Sequence, residues 1–86
     1  MEISVLYKIY KKHPIICTDT RKIKNGGIFF AIKGKNFNGN EFAANAIDNG
    51  CKFAIVDEKK FATNEKILLV ENVLEAHKVT VQVFGF

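Results

Sequence analysis

Tryptophan is absent from the 86-residue chain, proline and methionine occur once each, and the only serine is Ser4. Six glycines and one proline are too few for a disordered or collagen-like polypeptide. No apolar run approaches the roughly 20 residues that a membrane-spanning helix needs, so a soluble protein is expected. The N-terminal "MEISVLYKIYKKH" lacks the basic region and uninterrupted apolar stretch of a secretory signal, which points to the cytoplasm. Cys17 and Cys51 stand far apart with no CxxC partner, as befits two small buried thiols in a reducing compartment. His13 and His77 are isolated, no Cys, His and Asp cluster has zinc-site spacing, and no metal is expected. A scarce serine and histidines without nearby acidic orienters also leave no evident nucleophile and base pair, so no catalytic residue is assigned.

Two phosphate-binding signatures are missing as well. GxxxxGK[ST] is not met by "KGKN", where Asn36 stands in place of the hydroxyl residue, and "GKNFNG" has the wrong spacing for GxGxxG. ATP hydrolysis by the first route is therefore excluded for this polypeptide alone.

What is present is 48% hydrophobic residues, enough for one modest core and one domain. Thirteen Lys and Arg against nine Asp and Glu give a net charge of +4. That excess favours an anionic ligand or surface without choosing one, and most of the lysines, Lys11, Lys12, Lys59 and Lys60 among them, are expected only to solvate the surface.

In the opening segment, Ile3, Leu6, Tyr7 and Tyr10 have helical spacing, although Val5 and Ile9 would also suit a strand. "IIC" after Pro14 reads as a strand running into the polar turn "TDTR". "NGG" at residues 25–27 is a turn, and "IFFAI" from Ile28 to Ile32 is a buried strand. Asn40 stands at the expected N-cap of a helix in which Phe42, Ala43, Ala46 and Ile47 share one face and Gly50 is the stop. "KFAIVDE" and "KILLVEN" hold unalternating apolar runs, as in strands covered on both faces of a parallel sheet. Asn72 is placed to cap a last helix whose Val73, Leu74 and His77 face the sheet. The tail "VTVQVFGF" alternates like an edge strand, but would equally suit the cut end of a longer protein. The predicted class is α/β, a single small domain with a mixed, largely parallel sheet flanked by helices.

The chemistry concentrates in two segments. A polar turn bearing Arg21 and a Gly- and Asn-rich loop after "IFFAI" both follow strands, and α/β domains bind ligands beyond strand ends. The Thr20 hydroxyl, the Arg21 guanidinium and free amides near Asn40 would suit a diphosphate, and the "KGKN" backbone with the Asn36 amide would suit a flat heterocycle. Equally, Asp19 and Arg21 would merely pin a turn, with the glycines allowing tight bends. Asp57 and Glu58, at a strand end, are expected to meet water. A rival reading takes "RKIK", "KGK", Phe29, Phe30 and Phe37 as a nucleic-acid surface. Phe29 and Phe30 point to opposite faces of a strand, so at least one is core, and no known nucleic-acid module is present.

"TDTR", then "GGIFFAIKG", then "FNGNEFAANAIDNGCKFAIVDE", in that order, resembles the N-terminal domain of the Mur ligases of peptidoglycan synthesis over about residues 1–78, leaving 79–86 as an off-pattern tail. Within that family the pattern is nearest to the ligase that adds D-alanyl-D-alanine to UDP-N-acetylmuramoyl-tripeptide, while the sister ligase adding the third amino acid shares much of it. The resemblance implies a domain that binds the UDP end of a UDP-N-acetylmuramoyl peptide. Thr20 and Arg21 would lie at the diphosphate and uridine side, Lys33, Gly34, Lys35 and Asn36 along the uracil loop, and Asn40 among the ligand-binding residues, with Asp19 organising the turn. ATP and magnesium, used by the full-length family in forming an acyl phosphate and then an amide, would bind in domains this chain lacks, so it carries no cofactor. Neither nucleic acid nor membrane is an expected partner. A non-catalytic interaction module stands as the alternative.

Overall fold

The structure is a computed structural model that describes the backbone of residues 3–12 and 15–84, with side chains described for residues 5, 6, 8–12 and 15–78. Helix α1 (Ile3–Lys12) precedes strand β1 (Ile16–Cys17), and β2 (Ile28–Phe30) leads through α2 (Ala43–Asp48) to β3 (Phe53–Val56). Strand β4 (Ile67–Leu69) and helix α3 (Val73–Phe84) follow. Short 3₁₀ turns occupy Thr20–Lys22, Gly39–Phe42 and Lys59–Phe61.

The four strands lie side by side in the order β1-β2-β3-β4, and every neighbouring pair is parallel, with Phe29 opposite both Cys17 and Ala54. The expected largely parallel sheet is thus entirely parallel. A parallel neighbour can be reached only by carrying the chain back along the sheet. All three returns use the same face: Ile23 from the first, α2 from the second, and Phe61 and Ala62 from the third pack against a cluster that includes Cys17, Phe29, Ala54, Val56 and Ile67. On the other face, Leu6 and Tyr10 of α1 and Val73 and Ala76 of α3 meet Ile28, Phe30 and Ile55. All four strands therefore deliver their carboxyl ends to one edge of the molecule.

Phe29 and Phe30 are both fully buried, one in each cluster. Burial of this kind contributes about 1.5–3 kcal/mol per side chain, and it removes both rings from any nucleic-acid surface.

Most of the periodicity was informative. Leu6 and Tyr10 are buried as a helical face requires, whereas the side chains of Ile3 and Tyr7, and His13 and Pro14 entirely, lie outside the described residues. Ala43 and Ala46 are buried with Phe42 and Ile47 packed beside them, and the helix stops before Gly50. Gly26 takes a φ of 82° in the "NGG" turn, where a Cβ would be strained.

Four expectations are corrected. The N-cap side chain ahead of α2 belongs to Asn38, whose Oδ1 accepts from the Asn40 amide at 3.0 Å, so a 3₁₀ turn comes first and α2 starts only at Ala43. Leu74 is exposed and Ala76 takes the inward position, with His77 edge-on to Phe30 at 5.4 Å. Ile67 and Leu68 pack in opposite clusters as a doubly covered strand requires, but Leu69, at the end of the edge strand β4, is exposed. Finally, residues 79–84 continue α3 instead of forming a strand. The helix start is fixed twice, by Asn72 Oδ1 accepting from the Glu75 amide at 3.0 Å and by Asp57 Oδ2 accepting from the Val73 amide at 3.0 Å. Once nucleated, a helix adds one hydrogen bond per residue ordered, which outweighs the weak alternation of the tail. Gly85 and Phe86 lie outside the described residues. Among the described residues no helix is long and apolar enough to cross a membrane.

Candidate functional site

The parallel sheet brings the two chemistry-rich segments to the same edge. Thr18 to Arg21 leave the carboxyl end of β1, and the 33–38 loop follows β2. Beyond the edge lie two open clefts. One, of about 410 Å³, is lined by Thr18, Asp19, Thr20, Arg21 and Phe37. The other, of about 380 Å³, is lined by the loop from Lys33 to Asn38 together with Glu41 and Glu58. Phe37 belongs to both.

In the first cleft, Asp19 is the N-cap of the Thr20–Lys22 turn: its Oδ1 accepts from the Arg21 amide at 2.9 Å. The same carboxylate takes the Arg21 guanidinium in two parallel hydrogen bonds, Nε to Oδ1 and Nη2 to Oδ2, each 3.1 Å. The Arg21 hydrogen bonds hold Asp19 below the usual carboxylate range, and Asp19 in turn raises Arg21. The expected turn-organising part of Asp19 is present in the geometry. Yet the Arg21 side chain remains 86% exposed, so most of the guanidinium faces solvent.

The second cleft is built differently. The Gly34 amide donates to the Phe37 carbonyl at 2.6 Å, and Lys33 pairs with Asn38 in an antiparallel bridge, so residues 33–38 form a miniature hairpin. Its base is fixed to the end of β3. Asn38 Nδ2 donates to Glu58 Oε2 at 2.6 Å, and Lys33 Nζ lies 3.2 Å from that oxygen and 3.5 Å from Asp57 Oδ1. Behind them Asn40, only 1% exposed, uses its whole carboxamide. Its Oδ1 accepts from the Asp57 and Glu58 amides at 2.9 and 3.2 Å, and its Nδ2 donates to Asn38 Oδ1 at 2.9 Å and Asp57 Oδ1 at 3.0 Å.

This clasp sets the local charge. Hydrogen bonds from Asn38 and then Lys33 hold Glu58 below its ordinary value. Burial pushes Asp57 up, but donation from the Val73 amide, Asn40 and Lys33 outweighs it and the carboxyl is held down. Lys33 is raised, chiefly by its hydrogen bond to Glu58. Gly39 completes the fit: a Cβ there would come within 2.7 Å of the Ala31 carbonyl carbon and the Ile32 oxygen, both backbone atoms.

Of the residues singled out from the sequence, Thr20 and Arg21 share the first cleft, and Lys33, Gly34, Lys35 and Asn36 share the second. Asn40 lines neither and sits behind them, bonded within the protein. Sequence reasoning missed Phe37 as the wall common to both clefts, and it missed Asn38, Asp57 and Glu58 as the clasp. The available signal was position: Asp57 and Glu58 directly follow the apolar run of β3, at the sheet edge where ligands collect. Cys17 and Cys51, distant in sequence, are free thiols that meet in one buried cluster, and Cys51 is pushed up to about 12, by burial first and then by the Cys17 thiol. Among the described residues no group of three or more His, Cys, Asp or Glu is arranged to hold a metal ion.

Known proteins resemble this chain in sequence and in fold. Residues 13–84 match the family described as "Mur ligase family, catalytic domain". The chain is 34% identical over 82 residues to the UDP-N-acetylmuramoyl-L-alanyl-D-glutamate--2,6-diaminopimelate ligase of Rickettsia typhi, covering 95% of this chain and 16% of that protein. It is also 34% identical over 65 residues to the UDP-N-acetylmuramoyl-tripeptide--D-alanyl-D-alanine ligase of Synechocystis, covering 73% of this chain and 14% of that protein. Among solved structures, the MurF ligase of Thermotoga maritima in complex with ADP superposes with a TM-score of 0.65 at 28% identity, over 74% of this chain and 14% of that one. MurF of Acinetobacter baumannii gives 0.65 at 27% identity, over 86% and 18%. The chain therefore spans less than a fifth of the length of the proteins it matches.

Proposed function

Because this chain belongs to the Mur ligase family, we propose that it binds the uridine diphosphate end of a UDP-N-acetylmuramoyl peptide within a peptidoglycan-precursor ligase. One observation carries the reading: the Thr18–Arg21 turn and the 33–38 hairpin open side by side at the carboxyl edge of the sheet, with Phe37 common to both clefts.

The first cleft suits the diphosphate. A guanidinium has five N–H donors, and Asp19 takes two of those of Arg21, leaving the others for phosphate oxygens beside the Thr20 hydroxyl. The second suits the base, since the Asn36 carboxamide supplies both a donor and an acceptor and Lys35 adds positive charge. Lys33 and Gly34 also line this cleft: Lys33 is matched by two carboxylates, so its part is to hold the hairpin more than to neutralise a ligand. Asn40 acts at one remove, by fixing Asn38 and the end of β3. No residue of this chain is assigned a catalytic role. The family's ATP and magnesium chemistry, the amide bond it forms and a cytoplasmic setting are proposed for the whole ligase.

The motif pattern favours the ligase that adds D-alanyl-D-alanine to the tripeptide, whereas the sequence matches run longer against ligases named for adding diaminopimelate to the dipeptide. The longer matches weigh more, and we take the diaminopimelate-adding sister as the better reading. Titration calorimetry with UDP-N-acetylmuramoyl dipeptide and tripeptide tests the shared proposal. Binding of either, with heat lost in Arg21→Ala while the circular dichroism spectrum is kept, supports it. No heat at saturating ligand and no amide shift at Thr20 or Asn36 would refute it.

A further inference from the structure

We infer that Phe37 is the surface on which the nucleotide base stacks, an inference that rests on the UDP-binding reading above. Phe37 is 44% exposed, although it lies on a loop otherwise made of Lys, Gly and Asn. Its ring is stacked on that of Phe42, with centroids 5.3 Å apart and planes only 9° from parallel. A ring covered on one face by another ring in this way presents its opposite face and edge to the clefts, which are the two spaces it lines.

The mounting is firm. Phe37 closes the hairpin through its carbonyl, which accepts from Gly34, while the neighbouring Asn38 is tied to Glu58. A ring needed only to cover Phe42 would not have to stand at the junction of both clefts. A flat base laid on Phe37 bridges them: the base edge reaches Asn36, and the attached phosphates run toward Thr20 and Arg21. Stacking accepts any base, because every base has a π face, so the preference for uracil is left to Asn36 and the hairpin backbone.

The test measures UDP, uridine and inorganic pyrophosphate binding to the full chain and to Phe37→Leu, Phe37→Ala and Phe37→Tyr, with proton NMR of the uracil H5 and H6 resonances. In the unaltered chain these resonances move upfield on binding, as over an aromatic face. Leucine, which keeps an apolar contact with Phe42, removes that shift and weakens UDP and uridine at least about fivefold, the low end of what truncating a base-stacking ring costs. Pyrophosphate binding is unchanged, and tyrosine restores the shift. If UDP binds the leucine variant as tightly as the unaltered chain, and H5 and H6 do not move on binding to the unaltered chain, the stacking role is wrong while the nucleotide site stands. An equal loss for pyrophosphate also overturns it, by making Phe37 a structural residue. Absence of any UDP binding to the unaltered chain overturns both readings.

Discussion

Two carboxylate-cation pairs stand at the same edge of this sheet and are constructed on opposite principles. Asp19 and Arg21 are two residues apart, closed through a local turn, and open to solvent. Lys33 meets Glu58 and Asp57 from a distant part of the chain, in a network that includes a fully buried asparagine and the first amide of α3. An exposed local pair is screened and contributes little to folding, so Arg21 can be spent on a ligand. A network that holds one loop to another strand and to a helix start serves as architecture. The contrast separates a residue that touches a ligand from one that shapes the place where the ligand sits.

The sharpest way to test that contrast is Asn40→Ala. It strips the Asp57 and Glu58 amides and Asn38 of their shared partner, and should cost about 3 kcal/mol, as expected for several buried groups left unpaired. Urea denaturation measures it, and a change below about 0.5 kcal/mol, the usual range for surface substitutions, would mean that the clasp is ornamental. Gly39→Ala follows. A methyl pressed against backbone atoms at 2.7 Å cannot be relieved by a side-chain rotation, and overpacking of this sort costs about 2 kcal/mol. Equal stability of the alanine variant would show that the hairpin is not held close to β2.

Acid should strike the clasp before it strikes the sheet. Glu58 and Asp57 have folded-state values below their ordinary 4.5 and 3.8. A carboxyl lowered on folding stabilises the protein above its unfolded value, and that contribution disappears as pH falls through the folded one. The melting temperature should therefore decline below about pH 4.5, where unfolded Glu58 starts to take up a proton. In Glu58→Gln the decline should be shallower, and parallel pH profiles would place the sensitivity elsewhere. The smallest stability effect is expected for Arg21→Ala. Its melting temperature should match that of the unaltered chain, while UDP affinity falls about tenfold, as for the loss of a charge-assisted phosphate contact. If the variant instead unfolds early, the local pair is structural and the contrast fails.

Much of this fold was legible because its signals are short-ranged. The apolar runs at Ile28 and Phe53 became strands β2 and β3, and Asn72 capped α3 as its place before "VLEAHK" predicts. Thr20 and Arg21 were legible as a polar turn after a strand. The tail was not, since the Val79, Val81 and Val83 alternation reads as a strand until Asp57, sixteen residues before Val73, is seen to secure the helix start. Asn40 was misplaced for a related reason: both it and Asn38 are good capping residues, and only the approach of Asp57 and Glu58 decides which one is buried.

By itself the sequence determined the strand segments, the α/β class and the two polar stretches that carry ligand chemistry, because apolar periodicity and turn-forming residues act over a few positions. Tertiary structure alone decided that these stretches share one edge, that Phe37 lines both clefts, and that Asn40 holds the loop from behind. Those outcomes depend on parallel pairing and on hydrogen bonds between residues seventeen or more positions apart, and no local pattern encodes them.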